Sequence, residues 1–356
     1  MKLLIITQKV DLNDDILGFF HDWLSEFAKH CEKLIVICLY LGEYNLPTNV
    51  KVLSLGKEQY LYHSHFLRRP ISLYRFYKYL WQERKNYDKV LVHMNQIYVI
   101  LGGIFWRLSG KKIGLWYAHG HVPIGLKIAE RLTNVIFTST ASGCRLKSSK
   151  IKIVGQGINI NKFTVKSQKP KVKNEIFKII TVGRISPVKD YETLIKAVEI
   201  LIKQGIKLKV DVIGKILFIE HQQYLAKLKS MVKDKGLPIN FIGAVPNKEI
   251  VNYLKESNLF VNMSRTGSLD KAILEAMASQ LPILTSNKAI SGFLGEYEDM
   301  LLYPTRDYQT LANKIDHFYN LTSQQREKIG QDLRNIVIRE HNLSGLVEKI
   351  INFLRK

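Results

Sequence analysis

The sequence predicts an α/β protein of two doubly wound domains that face each other across a cleft, with C-terminal helices packing back toward the first domain. The length of 356 residues exceeds one ordinary core and suits two domains. Short apolar runs alternate with helix-like stretches, which is typical of βα units and parallel sheets. This alternation occurs twice, on either side of a lysine-rich break.

Strand-like runs organise both predicted domains. In the first domain, residues 1–165, they are Leu3–Thr7, Leu34–Leu39, Lys89–His93, Ile113–Ala118 and Val135–Thr138. In the second domain, residues 178–340, they are Ile179–Val182, Leu208–Ile213, Ile239–Ile242, Asn258–Asn262 and Ile283–Thr285. The lysine-rich stretch at 166–177 lacks an apolar period and predicts a linker. The last helix-like stretch, 341–356, is expected to return to the first domain.

The segment Ser264–Ser286 joins the end of a strand, a tight turn and a helix. Ser268 is the expected N-cap of that helix, and Asp270 falls in its first turn, where the helix dipole favours negative charge. A helix N-terminus at the edge of a sheet can receive phosphate or sugar oxygens. This segment is therefore the predicted centre of a ligand site.

The other predicted strand ends carry several isolated Gly, His and basic residues. They are Thr7–Asp15, His93–Gln96, His119–Pro123, Gly183–Lys189, Gly214–Lys215 and Gly243–Asn247. Open parallel sheets bind ligands at the carboxyl ends of their strands. A cleft between two facing domains would place these ends around one ligand.

The charge balance favours anionic partners. Lys and Arg number 53 against 31 Asp and Glu, which gives a net charge of +22. Nucleotide phosphates, nucleic acid and acidic lipids all fit this excess, and composition does not choose among them. The 46% of hydrophobic and 24% of charged residues are ordinary for a folded protein, so disorder is not expected.

Cysteine usage and hydropathy predict a reduced, cytoplasmic protein. Cys31, Cys38 and Cys144 are odd in number and have no metal-ligand spacing. The first apolar run is too short for a signal peptide. The longest uncharged run, Val90–Trp106, contains His, Asn, Gln and two Gly, so a transmembrane helix is not expected.

Several ordered motifs resemble a known family. The segments ITVGRISPVKDYETLIKAV, VDVIG, NFIGAVPN, NLFVNMS and LEAMASQLPILTS resemble the donor half of the retaining GT-B glycosyltransferases of family four. IVGQGININKF and ITQKVDLNDDILGFFHDWL also fit, so the resemblance extends over nearly the whole chain. It implies the GT-B fold and transfer of a sugar from a nucleotide-sugar to an acceptor hydroxyl, without a cofactor and usually without a metal.

The resemblance implies a basic grip on the donor diphosphate. Arg184 and Lys189 match the family's basic pair, and cations stabilise the charge on a departing nucleotide diphosphate. Gly183 would let the backbone approach the phosphates, and Gly214 lies at a neighbouring predicted strand end. The alternative is that Arg184 and Lys189 are solvated surface charges.

The resemblance also implies a ribose ligand and a variant sugar-facing turn. Glu275 matches the second glutamate of the family's paired-glutamate motif, which binds ribose hydroxyls. Gly267 stands where the first glutamate is expected, and Ser268, Leu269 and Asp270 replace Gly-Phe-Gly. Asp270 and Lys271 are candidate contacts to the sugar or phosphates. The alternatives are an ordinary Lys271–Glu275 helix pair and a dipole role for Asp270.

In the first domain, His119 matches the position where the family often carries a histidine near the reacting sugar. Gly18 remains from the family's glycine-rich turn facing the donor and acceptor. Asp14 and Asp15 can equally be caps of a helix that starts at Ile16. His93 and His121 are weaker candidates, and any of these histidines can be a core residue bonded to backbone.

The resemblance implies front-face displacement, in which the leaving phosphate helps to deprotonate the acceptor. No pair of carboxylates arranged as in a retaining hydrolase is visible in the sequence. Two other functions remain open: a sugar-nucleotide epimerase of the same shape, which needs no acceptor, and a basic nucleic-acid-binding protein. The sequence has no zinc-finger spacing or RNA-binding aromatic motif to support the latter.

The stretch Tyr60–Lys89 interleaves aromatic rings with Arg68, Arg69, Arg75, Lys78, Arg84 and Lys85. Such a stretch can lie on an anionic membrane surface with its rings in the interface. The alternative is a helix packed on its own domain with its basic residues in water. The sequence therefore predicts a glycosyltransferase for a cell-surface polysaccharide or glycolipid, with peripheral contact to the inner face of a membrane as a further expectation.

Overall fold

The computed structural model describes residues 1–60, 65–163 and 176–355. The chain divides into two compact units. Unit 1 comprises Met1–Gly157, Pro246–Lys248 and Leu343–Lys356, and unit 2 comprises Ile158–Val245 and Glu249–Asn342. The linker predicted at 166–177 lies outside the described residues apart from its last two positions.

Unit 1 contains a parallel sheet whose strands, in the described part of the chain, are β1 (Lys2–Val10), β2 (Lys33–Leu41), β3 (Val50–Ser54), β4 (Lys89–His93), β5 (Lys112–Trp116), β6 (Val135–Thr138) and β7 (Ile151–Ile153). The strand order is β3-β2-β1-β4-β5-β6-β7. The helices between them are α1 (Phe19–Lys29), α2 (His65–Glu83), α3 (Ile97–Leu108) and α4 (Ile124–Leu132).

Residues of β1 alternate between two apolar cores, one on each face of the sheet. Leu3 packs with Trp23 of α1 in one core, and Leu4 packs with Trp106 of α3 in the other. Successive side chains of a strand point to opposite faces, and both faces here are covered by helices. This is why residues 3–6 of β1 are all apolar.

Unit 2 contains a second parallel sheet, built in the described residues from β8 (Phe177–Val182), β9 (Leu208–Ile213), β10 (Ile239–Gly243), β11 (Leu259–Asn262) and β12 (Ile283–Thr285). The strand order is β10-β9-β8-β11-β12. The helices that follow these strands are α5 (Tyr191–Lys203), α6 (Gln222–Asp234), α7 (Asn247–Lys255), α8 (Lys271–Ala278), α9 (Glu298–Leu301), α10 (Tyr308–Asn320) and α11 (Ser323–Glu340). The predicted pair of doubly wound parallel sheets is confirmed.

The direction of strand addition reverses between β1 and β4 in unit 1 and between β8 and β11 in unit 2. At such a reversal the connecting loops diverge to opposite sides and leave a crevice at the carboxyl ends of the two strands. In unit 2 the loops at this crevice are 183–190 after β8 and 263–270 after β11. The fold thus positions two predicted site segments next to each other.

The last helix, α12 (Leu343–Arg355), packs within unit 1. Its residues Leu346 and Ile350 share the apolar core of Trp23. The indole Nε1 of Trp23 in turn donates a hydrogen bond to the Gly157 carbonyl at 3.1 Å. An amphipathic helix with a wide apolar stripe needs such a partner surface to remain folded.

Two strands escape sequence-based prediction, β3 and β7. Both are short and lie at the edges of the sheet in unit 1. Lys51 of β3 and both Lys152 and Ile153 of β7 are exposed, so neither strand has the continuous apolar run of a central one. Edge strands with charged residues also avoid pairing with other chains.

The three cysteines are buried free thiols. Burial raises the pKa of Cys31 to about 11 and that of Cys38 to about 12, so neither is a ready nucleophile. In residues 1–60, 65–163 and 176–355, no helix combines the length and hydropathy needed to span a bilayer.

Candidate active site

Two loops meet at the β8/β11 crevice of unit 2. The Arg265 amide donates to the Val188 carbonyl at 3.0 Å, and the Arg265 guanidinium donates to the Pro187 carbonyl at 2.7 Å. These bonds join the loop after β11 to the loop after β8. The side chains of both loops are therefore held in one cluster.

Lys189 and Asp270 form the centre of this cluster. Lys189 Nζ donates to Asp270 Oδ2 at 2.7 Å and to Ser264 Oγ at 3.2 Å. Both charged side chains are 14% exposed, so the ion pair is only partly screened by water. The structure thus brings together two of the predicted site residues.

Asn262, the last residue of β11, orients Asp270. Its Oδ1 accepts from the Ser264 amide and from Thr285 Oγ1, both at 3.2 Å. Its Nδ2 therefore faces Asp270 Oδ2, to which it donates at 3.1 Å. The sequence analysis missed this residue, and the available signal was an asparagine closing the apolar strand Leu259–Asn262.

The predicted N-cap of α8 is wrong. The helix begins at Lys271, and Asp270 rather than Ser268 occupies the N-cap position. Asp270 makes no side-chain capping bond. The physical reason is that its carboxylate is already held by Lys189 and Asn262, which turns it away from the first helical amides.

The turn before α8 explains the missing glutamate in backbone terms. Gly267 has a φ of +69°, in the left-handed region that side chains other than those of Gly, Asn and Asp rarely adopt. The Ser268 carbonyl accepts from Asn287 Nδ2 at 2.7 Å, and Leu269 is buried. A glutamate at position 267 would therefore strain this turn.

Glu275 lies on the second turn of α8 and is buried. Its carboxylate forms an ion pair with Lys271, four residues earlier on the same face. A buried carboxylate needs such a partner to remain charged. The Lys271–Glu275 pair that the sequence suggested is present. The alternative of an ordinary helix pair assumed an exposed glutamate, however, and Glu275 is buried.

Gly183 and Gly214 directly follow the neighbouring strands β8 and β9. Gly214 has a φ of +146°, and a Cβ on it would lie 1.9 Å from the Gly183 carbonyl oxygen. A Cβ on Gly183 would meet nothing closer than Tyr191 Oη at 3.5 Å. Gly214 is therefore required by the fold, whereas a side chain at Gly183 is compatible with it.

Arg184 and Ser186 leave polar groups available on the loop after β8. Arg184 is exposed and makes no hydrogen bond or ion pair with the residues that the structure describes. Ser186 is buried, and its Oγ has no partner among those residues. The loop that carries Lys189 thus also carries, at Arg184, an exposed guanidinium without a partner among the described residues.

The predicted site residues of unit 1 lie on loops after β1 and β5. His119 is exposed, and its Nδ1 accepts from the His121 amide at 3.0 Å. Gly18 is the residue before α1, and a Cβ on it would lie 2.4 Å from the Asp14 carbonyl oxygen. Both residues are therefore shaped by local backbone contacts within unit 1.

Asp14 holds its own loop together. Its carboxylate accepts from Lys9 Nζ at 2.5 Å and from the amides of Ile16 and Leu17. Burial alone would raise the pKa of Asp14, but these hydrogen bonds lower it below its ordinary value. The capping alternative is wrong: α1 begins at Phe19 rather than at Ile16, and its N-cap Gly18 receives no side-chain bond. Asp14 instead binds the amides of the turn that precedes the helix.

His93, at the end of β4, is a buried histidine. Its ring stacks on Phe20 with centroids 3.9 Å apart, and its Nδ1 lies 3.2 Å from Thr7 Oγ1. Burial lowers its pKa to about 3, so the ring is neutral at physiological pH. These contacts match the core alternative for this residue.

The two parallel-sheet units have the GT-B fold, which several solved glycosyltransferases share. Anabaena HepE, solved in complex with UDP and glucose, superposes with a TM-score of 0.75 over 100% of both chains. The identity between the two is 18%, so this likeness shows the fold alone.

Residues 162–335, which carry the β8/β11 cluster, match the family described as Glycosyl transferases group 1. A GDP-Man:Man(3)GlcNAc(2)-PP-Dol alpha-1,2-mannosyltransferase of Xenopus laevis is 26% identical over 46% of this chain and 35% of the relative. The capsular polysaccharide biosynthesis glycosyltransferase CapM of Staphylococcus aureus is 27% identical over 60% of this chain and 56% of the relative. The chain thus spans about a third to a little over half of these relatives' lengths.

Proposed function

We propose that the protein is a retaining glycosyltransferase of family four that moves a sugar from a nucleotide-sugar to an acceptor hydroxyl in polysaccharide or glycolipid biosynthesis. The observation that carries the proposal is the Lys189–Asp270–Asn262 cluster at the β8/β11 crevice, inside the segment that matches the glycosyltransferase family. The name of one relative gives capsular polysaccharide biosynthesis, and that of another gives Man(3)GlcNAc(2)-PP-Dol, a PP-Dol-linked glycan, as what it acts on. Neither relative favours an epimerase or a nucleic-acid-binding protein.

In this proposal Arg184 and Lys189 bind the donor diphosphate. The exposed Arg184 has no competing partner among the described residues, and Lys189 exchanges part of its contact with Asp270 for phosphate oxygens. The backbone at Gly183 has room for a close approach, since no heavy atom lies within 3.4 Å of its missing Cβ. Two cations next to the leaving group supply the charge that a metal ion would otherwise provide.

Glu275 is the proposed ligand of the ribose hydroxyls. Its carboxylate is buried and forms an ion pair with Lys271. Because the ion pair already fixes its position, this carboxylate can accept hydrogen bonds from two hydroxyls with little further loss of side-chain entropy. Ser268 and Leu269, in the turn before α8, and Gly214, after β9, are further proposed contacts to the donor.

Asp270 is the proposed contact to the transferred sugar. Both of its recorded hydrogen bonds go to Oδ2, which leaves Oδ1 without a donor among the described residues. A sugar hydroxyl is the donor that would complete this carboxylate. In the proposal, Asp270 therefore provides the carboxylate that the family has at the position of Gly267.

The proposed reaction is front-face displacement. The bond from the anomeric carbon to the phosphate oxygen breaks while the acceptor hydroxyl oxygen bonds to the same face of that carbon. The hydroxyl proton passes to the departing phosphate oxygen, which Arg184 and Lys189 stabilise. His119 and Gly18 of unit 1 are the proposed contacts to the sugar or acceptor.

Thermal-shift screening against UDP-, GDP- and ADP-sugars tests the donor class, because a ligand that binds only the native state raises its unfolding temperature. We expect one nucleotide series to stabilise the protein and Arg184→Ala to lose that shift. Arg339→Ala, an exposed arginine on α11, is the matched control. Unaltered donor binding in Arg184→Ala would contradict the assigned site.

Product analysis tests the reaction. With the stabilising donor and an acceptor, we expect transfer that persists in EDTA and preserves the anomeric configuration. An isomerised sugar-nucleotide formed without acceptor would instead identify an epimerase.

A further inference from the structure

Large apolar side chains project outward from α2 and α3 of unit 1. On α2, Tyr74 and Trp81 are 67% and 61% exposed, and they lie on the same side of the helix. On α3, Ile104 and Leu108 are 63% and 85% exposed. Residues four or seven apart share one helix face, so each helix presents an apolar stripe to solvent in addition to the one it packs on the sheet.

Hydrogen bonds join α2, α3 and α4 side by side. Tyr77 Oη donates to the Leu101 carbonyl of α3 at 3.1 Å, and Arg107 Nη1 donates to the Arg131 carbonyl of α4 at 2.7 Å. The helix α4 adds two exposed isoleucines one turn apart. The combined surface, called here the α2–α4 face, consists of Tyr74, Trp81, Ile104, Leu108, Ile124 and Ile128.

The charges on this face have one sign. Over the side chains that the structure describes, the exposed charged residues of the three helices are all basic: Arg69, Lys78, Arg107, Lys127 and Arg131. The carboxylate of Glu83 is bound to Lys51 at 2.6 Å, and that of Glu130 accepts from Ser148 at 2.8 Å. The face is therefore both apolar and cationic.

A basic hollow adjoins the end of α3. It has a volume of about 370 Å³ and is lined by the cations Lys89, Arg107, Lys111 and Lys112 together with Gly110 and Asn134. Leu108, the most exposed apolar residue of the face, follows Arg107 directly. A phosphate group fits the charge of this hollow, and an acyl chain fits the surface beside it.

We propose that the α2–α4 face docks on an anionic lipid bilayer, with its apolar stripes among the headgroups and its cations on lipid phosphates. Tyr and Trp mixed with Arg and Lys are typical of surfaces that lie in a membrane interface, whereas the centre of a protein interface is depleted of lysine. This inference deepens the proposed function by naming its membrane partner, and it rests on that function for its biological purpose.

The face extends the basic segment that the sequence singled out. Arg69, Arg75, Lys78, Arg84 and Lys85 lie on or next to α2, and the side chain of Arg68 lies outside the described residues. The Arg84 guanidinium stacks on the Trp81 ring at 4.1 Å. The apolar contribution of α3 and α4 had no counterpart in the sequence analysis.

Trp81 gives the proposal a direct readout. The chain has four tryptophans, and Trp23, Trp106 and Trp116 are all buried at 2% exposure or less. Vesicles of phosphatidylcholine with phosphatidylglycerol should shift Trp81 emission to the blue and expose it to quenching by brominated lipid. Phosphatidylcholine vesicles alone should not. No shift with the anionic vesicles, or equal shifts with both, would overturn the proposal.

Paired substitutions locate the contact. Ile104→Glu with Leu108→Glu should weaken vesicle partitioning about tenfold or more, because apolar burial is lost and like charge is added. Ile219→Glu, at an 81% exposed position of unit 2, is the matched control and should bind like the wild type. Equal partitioning of the double variant and the control, or conversion of a dimer to a monomer without any vesicle binding, would contradict the proposal.

Donor binding separates this inference from the proposed function. The Ile104→Glu/Leu108→Glu variant should keep its thermal shift with nucleotide-sugar, and Arg184→Ala should keep its vesicle binding. A wild type that binds vesicles but no nucleotide-sugar would refute the function and leave the membrane surface standing.

Discussion

The Lys189 ammonium and the Asp270 carboxylate form an ion pair at 2.7 Å although 81 residues separate them in the chain. The pair joins the basic residue proposed to grip the donor phosphates to the acidic residue proposed to bind the transferred sugar. Asn262 fixes the carboxylate from the strand side. The pair therefore couples the two parts of a nucleotide-sugar within one partly buried cluster.

Asp270→Asn should separate sugar recognition from phosphate binding. Removal of the charge frees Lys189 for phosphate, so affinity for the nucleoside diphosphate should be equal or higher. The kcat/KM for transfer should fall about tenfold or more, because a hydrogen bond to a charged group is lost. Calorimetry with the nucleoside diphosphate, beside transfer kinetics, makes the measurement. Asp234→Asn, at an exposed carboxylate of α6, is the control, and equal losses in both assays would contradict the role.

Lys271→Met should destabilise unit 2 by about 1–3 kcal/mol, because the buried Glu275 loses its ion-pair partner. Adding Glu275→Gln should restore part of that loss, since no buried charge remains. Chemical denaturation followed in the single and double variants measures the coupling. Donor affinity offers a second readout: Glu275→Gln alone should weaken nucleotide binding if the carboxylate holds the ribose. Additive stability effects would argue against the pairing.

The two glycines of the β8/β9 ends should respond in opposite ways. Gly214→Ala forces a Cβ to within 1.9 Å of the Gly183 carbonyl at a φ of +146°, so we expect a loss of about 3 kcal/mol or more, or failure to fold. Gly183→Ala meets nothing closer than 3.5 Å and should unfold near the wild-type temperature. Its donor affinity should nevertheless fall if phosphates approach there. Thermal unfolding with and without donor distinguishes the two effects.

His93 should make the free energy of unfolding decrease at acidic pH. Its folded pKa of about 3 lies below the unfolded value of about 6.5, so the unfolded chain takes up a proton that the folded chain excludes. The stability is fully present above pH ~6.5 and falls by about 1.4 kcal/mol per pH unit below it. His93→Gln should flatten this slope between about pH 6 and 4. His121→Gln, at an exposed histidine of unit 1, should not.

Most of the strands were predictable because their signal is local. Leu208–Ile213 and Ile283–Thr285 were predicted with the bounds that the structure has. The first alternates apolar residues with Lys209 and Asp211, and the second is a short apolar run, and both patterns indicate buried strands. The edge strand β7 was not, because exposed Lys152 and Ile153 give no such run. Residue patterns detect burial, and an edge strand is only half buried.

The sequence predicted most residues of the candidate site but not how their side chains contact one another. Arg184, Lys189 and Asp270 follow predicted strands, so their place at the carboxyl ends was expected. The role of Asn262 was not, since an asparagine closing a strand is consistent with many contacts. The N-cap assignment of Ser268 failed because the turn continues through Leu269 and the helix begins only at Lys271.

The sequence by itself determined the succession of strands, loops and helices and the residue types at each strand end, because these depend on neighbours a few positions away. The tertiary structure decided which loops meet. The pairing of β8 with β11 places the loop of Lys189 beside that of Asp270. It also decided that the outward stripes of α2, α3 and α4 join into one face, since strand pairing and helix packing are set by contacts between residues far apart in the chain.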